Sequence, residues 1–409
     1  MTAFFGLDES VVGPLVRAVA PAGLSKEQVE EYFARASWTG IAEPGDRLAG
    51  QLVSALGARR ALTALIDRWD IPTIISAVIS AGAEVTAEEI DLAVQRWHPR
   101  VKSSAVVTAL RQAVRLSVAL LLPGDDGWPA GVDDLEVHAP LALWVRGYRS
   151  TLASTSTSIA LVGARAATGY GEHVTMEASA GLVDRGYTIV SGAAYGIDGM
   201  AHRAALASSG QTVAFLAGGV DRFYPSGHDA LLTRIVESGA VVSELPCGSP
   251  PTKWRFLQRN RLIAAASQAT IVLEAGWRSG SLNTAGHAAS LGRPLGAVPG
   301  PVTSAASAGC HRLIRDFYAT CVTNVDEMAE LAPLPSAMAG LEIAAESAAH
   351  PTSERTRVID ALSARSARTT NDVAARAGLS ASQVQSVLGI LALEGGARQG
   401  ESGWMLSRT

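Results

Sequence analysis

Lys253, Arg255, Arg259 and Arg261 stand within nine residues of the stretch KWRFLQRNRLIAAAS, with Trp254 and Phe256 between them. Cations alternating with rings suit an unpaired nucleic-acid strand, because the charges meet phosphates and exposed rings stack bases. A solvated loop whose rings turn inward is the plainer alternative. Arg259, Asn260 and Arg261 precede the apolar run 262–266, which reads as a buried helix beginning there. Two cations at a helix start oppose the positive end of the macrodipole, and a bound anion would reverse that penalty.

Three further loops carry glycines and hydroxyls. GARAATGYG, 163–171, offers Gly163, Arg165 and a following helix start. Backbone N–H donors, a dipole and a planar cation suit a phosphate, with an ordinary tight turn as the alternative. The loop matches neither GxGxxG nor GxxxxGK[ST], so it signals no dinucleotide or triphosphate site. SGAAYGIDGMAH, 191–202, holds Ser191, Gly192 and Gly196, glycines that a ligand could approach closely. Asp198 and His202 share a helix face four residues apart. They invite an acid–base reading, but helix capping by the acid and a core place for the histidine are preferred. In EAGWRSGSLNTAGHAASLGR, Ser279, Gly280 and Ser281 precede a helix and form another nest of N–H groups and hydroxyls.

The elements that must position these loops follow from periodicity. SIALVG, YTIVSG, TVAFLAGG, AVVSEL, ATIVLEAG and PLGAVPG read as buried strands, most of them separated by helix-length segments. That alternation predicts βαβ units and a parallel sheet, with ligands outside the carboxyl ends of the strands. Residues 1–120 read as helical, with Thr86 and Glu89 in capping-box spacing and SSAVVTALRQAVRLSVALLL, 103–122, continuing the pattern. The expected domains are a helical accessory domain over 1–120, an α/β body over 121–332, a linker over 333–352 and a winged helix over 353–409. The last has three helices, the turn AGLS and a wing, ARQGESGWMLS.

The 409 residues, 48% hydrophobic and 18% charged, suit a soluble chain of two or three domains. A net charge of −4 confines any nucleic-acid site to a local patch. The three cysteines show no CxxC spacing and read as buried thiols in a reduced cytosol. The opening MTAFFGLDESVVGPLV has no basic region before an apolar core, so no signal peptide is expected; the longest uncharged stretches, such as 204–220, are broken by glycine and polar residues, so no membrane span is expected either, and a cytoplasmic place is. With no GxSxG, no HExxH and no metal-ligand histidine spacing, no catalytic residue, cofactor or metal is expected.

VGAR…YG from Val162, SGAAYGIDGMAH from Ser191, GGVDRFYP from Gly218, FLQRNRLIAAAS from Phe256 and SGSLNTA…GR…AVPG from Ser279 together resemble a bacterial family, the DNA-processing protein A family (DprA, or Smf). The resemblance covers about 120–332. It implies an extended Rossmann-like parallel-sheet core with a helical, SAM-like domain before it and a winged-helix domain after it. It also implies a non-enzymatic protein that binds single-stranded DNA, forms a homodimer through the Rossmann-like body, protects incoming DNA and loads RecA recombinase onto it in natural transformation. The DNA contacts it implies are Gly163, Arg165, Ser191, Gly192, Gly196, Lys253, Phe256, Arg259 and Arg261, with Asn260 holding the loop and Ser279, Gly280 and Ser281 cradling a phosphate. Four positions depart from the family pattern: Ala164, Leu257, His228 and His311 replace a serine, a proline and two asparagines.

Two other readings compete with this one. Rossmann-like enzymes that release bases from nucleoside monophosphates need an acid after the glycine loop, and none follows Ser281 within a turn. A winged-helix transcription factor would read bases with a cationic helix, yet SASQVQSVLGILALEGG has no Arg or Lys. The tail is therefore expected to contact protein or to stabilise.

Overall fold

A computed structural model of the chain describes residues 4–82, 84–334, 354–400 and 402–407. The chain divides into two compact units, Met1–Ala332 and Pro333–Thr409.

Seven α-helices open the first unit: α1 (Glu9–Val19), α2 (Lys26–Ile41), α3 (Arg47–Leu56), α4 (Ala58–Ile66), α5 (Ile71–Ser80), α6 (Ala87–Trp97) and α7 (Ser103–Arg115). Thr86 and Glu89 close the expected capping box ahead of α6, and Ser25 with Gln28 closes another ahead of α2. The helix expected to continue to 122 stops at Arg115. Ser117 takes a positive φ of 52°, and the apolar run beyond it becomes β1 (Ala119–Leu121), antiparallel to β2 (Leu143–Gly147). Valine and leucine bury equally well in either conformation, so a neighbouring strand decides between them.

After α8 (Arg149–Ala153) come β3 (Ser158–Gly163), α9 (Gly169–Asp184), β4 (Thr188–Ser191), α10 (Ile197–Ala207), β5 (Thr212–Phe215), α11 (Asp229–Ser238) and β6 (Ala240–Ser243). Then follow α12 (Lys253–Ala266), β7 (Ala269–Glu274), α13 (Ser281–Ser290), β8 (Leu295–Ala297), α14 (Ala308–Asp316), β9 (Thr320–Cys321) and α15 (Val325–Glu330). Among the described residues the sheet order is β1-β2-β6-β5-β4-β3-β7-β8-β9. All neighbours from β6 to β9 run parallel, while β1–β2 and β2–β6 are antiparallel. The chain thus winds outward from β3 to β6 and then returns through α12 to β7 on the other side of β3. Right-handed crossovers place α9–α11 on one face and α12–α13 on the other. β3 to β7 are almost wholly buried, as parallel strands covered on both faces must be.

The helical layer and the sheet share one hydrophobic cluster, running from Trp38, Trp97 and Leu110 to Trp144, Ala214 and Val241. Within it the Trp144 indole N–H donates to Thr39 Oγ1 at 3.1 Å. Cys247 and Cys310 are buried as expected, but Cys321 is exposed, because the short last strand β9 leaves its side chain uncovered.

The second unit is a winged helix: helices Glu354–Ala361, Thr370–Ala377 and Ala381–Leu393, followed by the hairpin β10 (Ala397–Gly400) and β11 (Gly403–Leu406). Val358, Val373, Val384, Leu388 and Leu391 form its core. Gly378, at φ 62° and ψ 41°, ends the middle helix in the left-handed conformation that glycine favours. The expected linker, 333–352, lies outside the described residues from 335 onward. No helix among the described residues is long and apolar enough to cross a membrane.

Candidate nucleic-acid interface

β3 and β7 are adjacent in the sheet, but the chain leaves them in opposite directions, so their carboxyl ends flank the switch point where α/β sheets hold ligands. A cleft of about 630 Å³ opens there. Gly163 and Arg165 line it after β3; Phe256, Arg259 and Asn260 line it from α12; and Arg278, Ser279, Gly280 and Ser281 line it after β7.

Much of the floor is already satisfied from within. Glu274, at the end of β7, accepts hydrogen bonds from the Thr168 backbone N–H (2.8 Å) and hydroxyl (2.6 Å). Thr168 is the N-cap of α9, so the helix start expected to receive a phosphate already faces a protein carboxylate. Asp198 is buried in α10. Burial pushes its carboxyl above the usual range, while Arg259 and the N–H groups of Ala194, Gly163 and Gly192 pull it back. It is not the expected cap, since Gly196 occupies the cap position ahead of α10 and no side chain caps the helix; instead Asp198 ties the ends of β3 and β4 together.

His202 is the core residue expected. Thr212 donates its only hydroxyl proton to the Ile189 carbonyl at 2.7 Å, so the 2.7 Å contact between His202 Nδ1 and Thr212 Oγ1 places a proton on Nδ1. Nε2 is buried without a partner. Burial, with His228 and Arg259 nearby, brings the imidazole down to about 3 and keeps it neutral.

The basic stretch folds differently from its sequence reading. α12 starts at Lys253, capped by Thr252, whose hydroxyl accepts the Arg255 N–H. Arg259 and Arg261 are therefore well inside the helix, not at its first turn, and are only 5% and 3% exposed. Arg259 Nη1 donates to the carbonyls of Gly192 (2.6 Å) and Phe215 (2.5 Å), bridging the ends of β4 and β5. Burial lowers this guanidinium to about 10, against the opposing pull of Asp198. Arg261 Nη2 donates to both oxygens of Glu244, at 2.9 and 2.8 Å, and Glu244 also accepts the Gly45 N–H from the helical layer.

Of the residues expected to contact DNA, Ser191, Gly192, Gly196, Lys253 and Arg261 are not among those lining the cleft. The Ser191 hydroxyl donates to the Leu161 carbonyl at 2.7 Å. A Cβ on Gly192 would stand 2.3 Å from Arg259 Nη1, so glycine there makes room for the arginine rather than for a ligand. Gly196, at φ 73°, packs against the carbonyls of Ala164 and Arg165. These three support the floor from behind because the strand ends converge on polar backbone that must be paired.

The rim is open. The partly buried Phe256 ring has Arg165 at 5.1 Å, Arg259 at 5.7 Å and the Tyr224 ring at 5.5 Å. Arg165, Arg278 and Lys253 are exposed, although Lys253 is at the α12 start and outside the cleft lining. Arg255 is held by Glu43 through two 2.9 Å hydrogen bonds. Asn260 donates to the Gly280 carbonyl at 3.5 Å and to Asn283 Oδ1 at 3.2 Å, and so holds the Ser279–Ser281 turn against α12, while the hydroxyls of Ser279 and Ser281 are 2.8 Å apart. Sequence reasoning missed Arg278 and Tyr224, although both lie within motifs already singled out, EAGWRSGS and GGVDRFYP.

The family model for DNA recombination-mediator protein A matches residues 119–333, and that for the DprA winged helix domain matches 342–403. A DNA processing relative from Mycobacterium tuberculosis, named as DprA, is 46% identical over 310 residues, covering 73% of this chain and 79% of its own. Protein Smf of Escherichia coli is 42% identical over 192 residues, 47% of this chain and 50% of its own. Among solved structures, DNA processing protein A from Streptococcus pneumoniae aligns with a TM-score of 0.58 at 26% identity, covering 73% of this chain and 96% of that one.

Proposed function

The chain belongs to the DNA recombination-mediator protein A family, and on that premise we propose that it binds single-stranded DNA at the carboxyl edge of its sheet. The observation that carries this reading is the cleft with Phe256 at its mouth, flanked by Arg165 and backed by the fixed charge of Arg259. Arg165, Lys253 and Arg278 would meet phosphates, Phe256 would stack a base, and Ser279, Gly280 and Ser281, with Gly163 opposite, would cradle a phosphodiester. Arg259 and Asn260 would act mainly by holding that surface in shape.

The same reading makes the protein a binding partner of DNA rather than an enzyme. In its support, Asp198 and Glu274, the acids nearest the glycine loops, already accept backbone donors. Protection of incoming DNA, loading of RecA recombinase, homodimerisation through the α/β body and a cytoplasmic setting follow from the family resemblance. For the tail we assign protein contact: its helix Ala381–Leu393 has no Arg or Lys and exposes Ile390 and Leu393.

The test is fluorescence anisotropy with labelled oligo-dT and a matching duplex across a salt series. Preference for the single strand with a steep negative salt slope is expected. Equal affinity for the duplex would overturn the reading. Silence toward both, with base release from nucleoside monophosphates, would replace it with the nucleotide-processing alternative.

A further inference from the structure

Eight aromatic side chains among the described residues are strongly exposed, and five of them follow five successive strands one by one, in the loop after the strand or in the first turn of the next helix. Tyr170 follows β3, Tyr195 β4, Tyr224 β5, Trp254 β6 and Trp277 β7. Sheet order rearranges them along the carboxyl edge as Trp254, Tyr224, Tyr195, Tyr170, Trp277. Large rings normally retreat from water, so this concentration on one edge of a sheet marks a binding surface.

Its chemistry points to one class of partner. Tyr224 is 49% exposed and extends the Phe256 ring; Trp254 and Trp277 are 57% and 53% exposed at the two ends of the row. The row is accompanied by Arg165, Arg222, Lys253 and Arg278, and Arg312 lies 5.1 Å over the Trp277 ring. Of the carboxylates along this edge, Asp221 accepts from Gly248 N–H and Gln112, Asp198 and Glu274 hold the loops, and Glu172 stays exposed in the first turn of α9. Exposed ring faces with unopposed cations fit a polyanion whose bases present their own faces, which is an unpaired strand and not a duplex.

We propose that these rings form a stacking track for a run of consecutive unpaired bases, Tyr224 taking the base beside the one on Phe256 and the two tryptophans marking the ends. The proposal rests on the single-strand reading above and extends it from one pocket to a defined length. Five strands at a spacing of about 4.8 Å span about 19 Å, room for about six nucleotides at a stacked rise of about 3.4 Å.

Trp254 and Trp277 also supply the readout, because the other six tryptophans are buried or partly buried. The full chain is titrated with oligo-dT of two to twelve nucleotides and with an abasic oligonucleotide carrying the same phosphates, following tryptophan emission and anisotropy together. The expected result is quenching that saturates near six nucleotides, with the abasic strand at least tenfold weaker and without quenching. Tyr224→Ala and Trp254→Ala should each weaken oligo-dT about tenfold and leave abasic binding unchanged. Equal binding of dT and abasic strands without quenching would overturn the track while leaving the phosphate contacts standing. Loss of binding to both would overturn the single-strand reading, and the track with it.

Discussion

Arg261 and Arg165 are both arginines near the carboxyl edge of one sheet, yet they occupy opposite regions of the site. Arg261 is 3% exposed and held by both oxygens of Glu244; Arg165 is exposed and reaches only over the Phe256 ring. The same division runs through the site. The floor and the layer behind it consist of Arg259, Arg261, Asp198, Glu244, Glu274, Ser191 and His202, whose polar groups mostly meet protein partners. The rim consists of Arg165, Lys253, Arg278, Phe256 and Tyr224, with charge and ring surface turned outward. A buried charge must be paired or it destabilises the fold, so floor charges shape the cleft and rim charges remain for a ligand.

The strongest way to break this contrast is Arg261→Met. Glu244 would lose its buried counter-charge, and the unfolding free energy in urea should fall by about 3–5 kcal/mol. Adding Glu244→Gln should recover much of that loss. An Arg261→Met protein of unchanged stability but weakened DNA binding would move Arg261 to the rim.

A smaller effect comes from pH. His202 titrates near the ordinary imidazole value of 6.5 when unfolded and at about 3 when folded, so below pH 6.5 the unfolded chain takes up a proton the folded chain refuses. Its contribution is intact above pH 6.5 and is lost progressively toward pH 3, by about 2 kcal/mol at pH 5. Asp198, raised by burial, works in the opposite direction, so the measurement is a difference: His202→Gln should flatten the fall in stability between pH 7 and pH 5 relative to wild type. Parallel pH profiles in the two proteins would mean that the floor is not dry.

The smallest stability effects belong to the rim. Arg165→Ala, Lys253→Ala and Arg278→Ala should each leave stability within about 0.5 kcal/mol and make the salt dependence of single-strand binding shallower by about 0.7. A rim variant that unfolds early, or one with an unchanged salt slope, would blur the contrast from the other side.

Much of this architecture was legible from short-range pattern. The β-branched runs at 158–163 and 269–274, the box at Thr86 and Glu89 and the three tail helices rest on local periodicity and capping, which act within a few residues. The misreadings lie where local preference was balanced. Residues 116–122 could bury their apolar side chains as helix or strand, and β2 chose strand. α12 could begin at Lys253 or later, and the Thr252 cap with the Arg255–Glu43 pair favoured the earlier start. Tyr224 was invisible as a site residue because its nearness to Phe256 comes from the packing of a β5 loop against α12.

By itself, the sequence determined the alternation of strands and helices, the loops at the carboxyl ends of the strands and the stock of cations, glycines and rings those loops carry, since these depend on local order along the chain. Only the tertiary structure decided which cations remain free. That choice depends on whether a carboxylate or carbonyl from a distant segment reaches a guanidinium before water does: Glu244 reaches Arg261, Gly192 and Phe215 reach Arg259, and Arg165 keeps its charge for the rim.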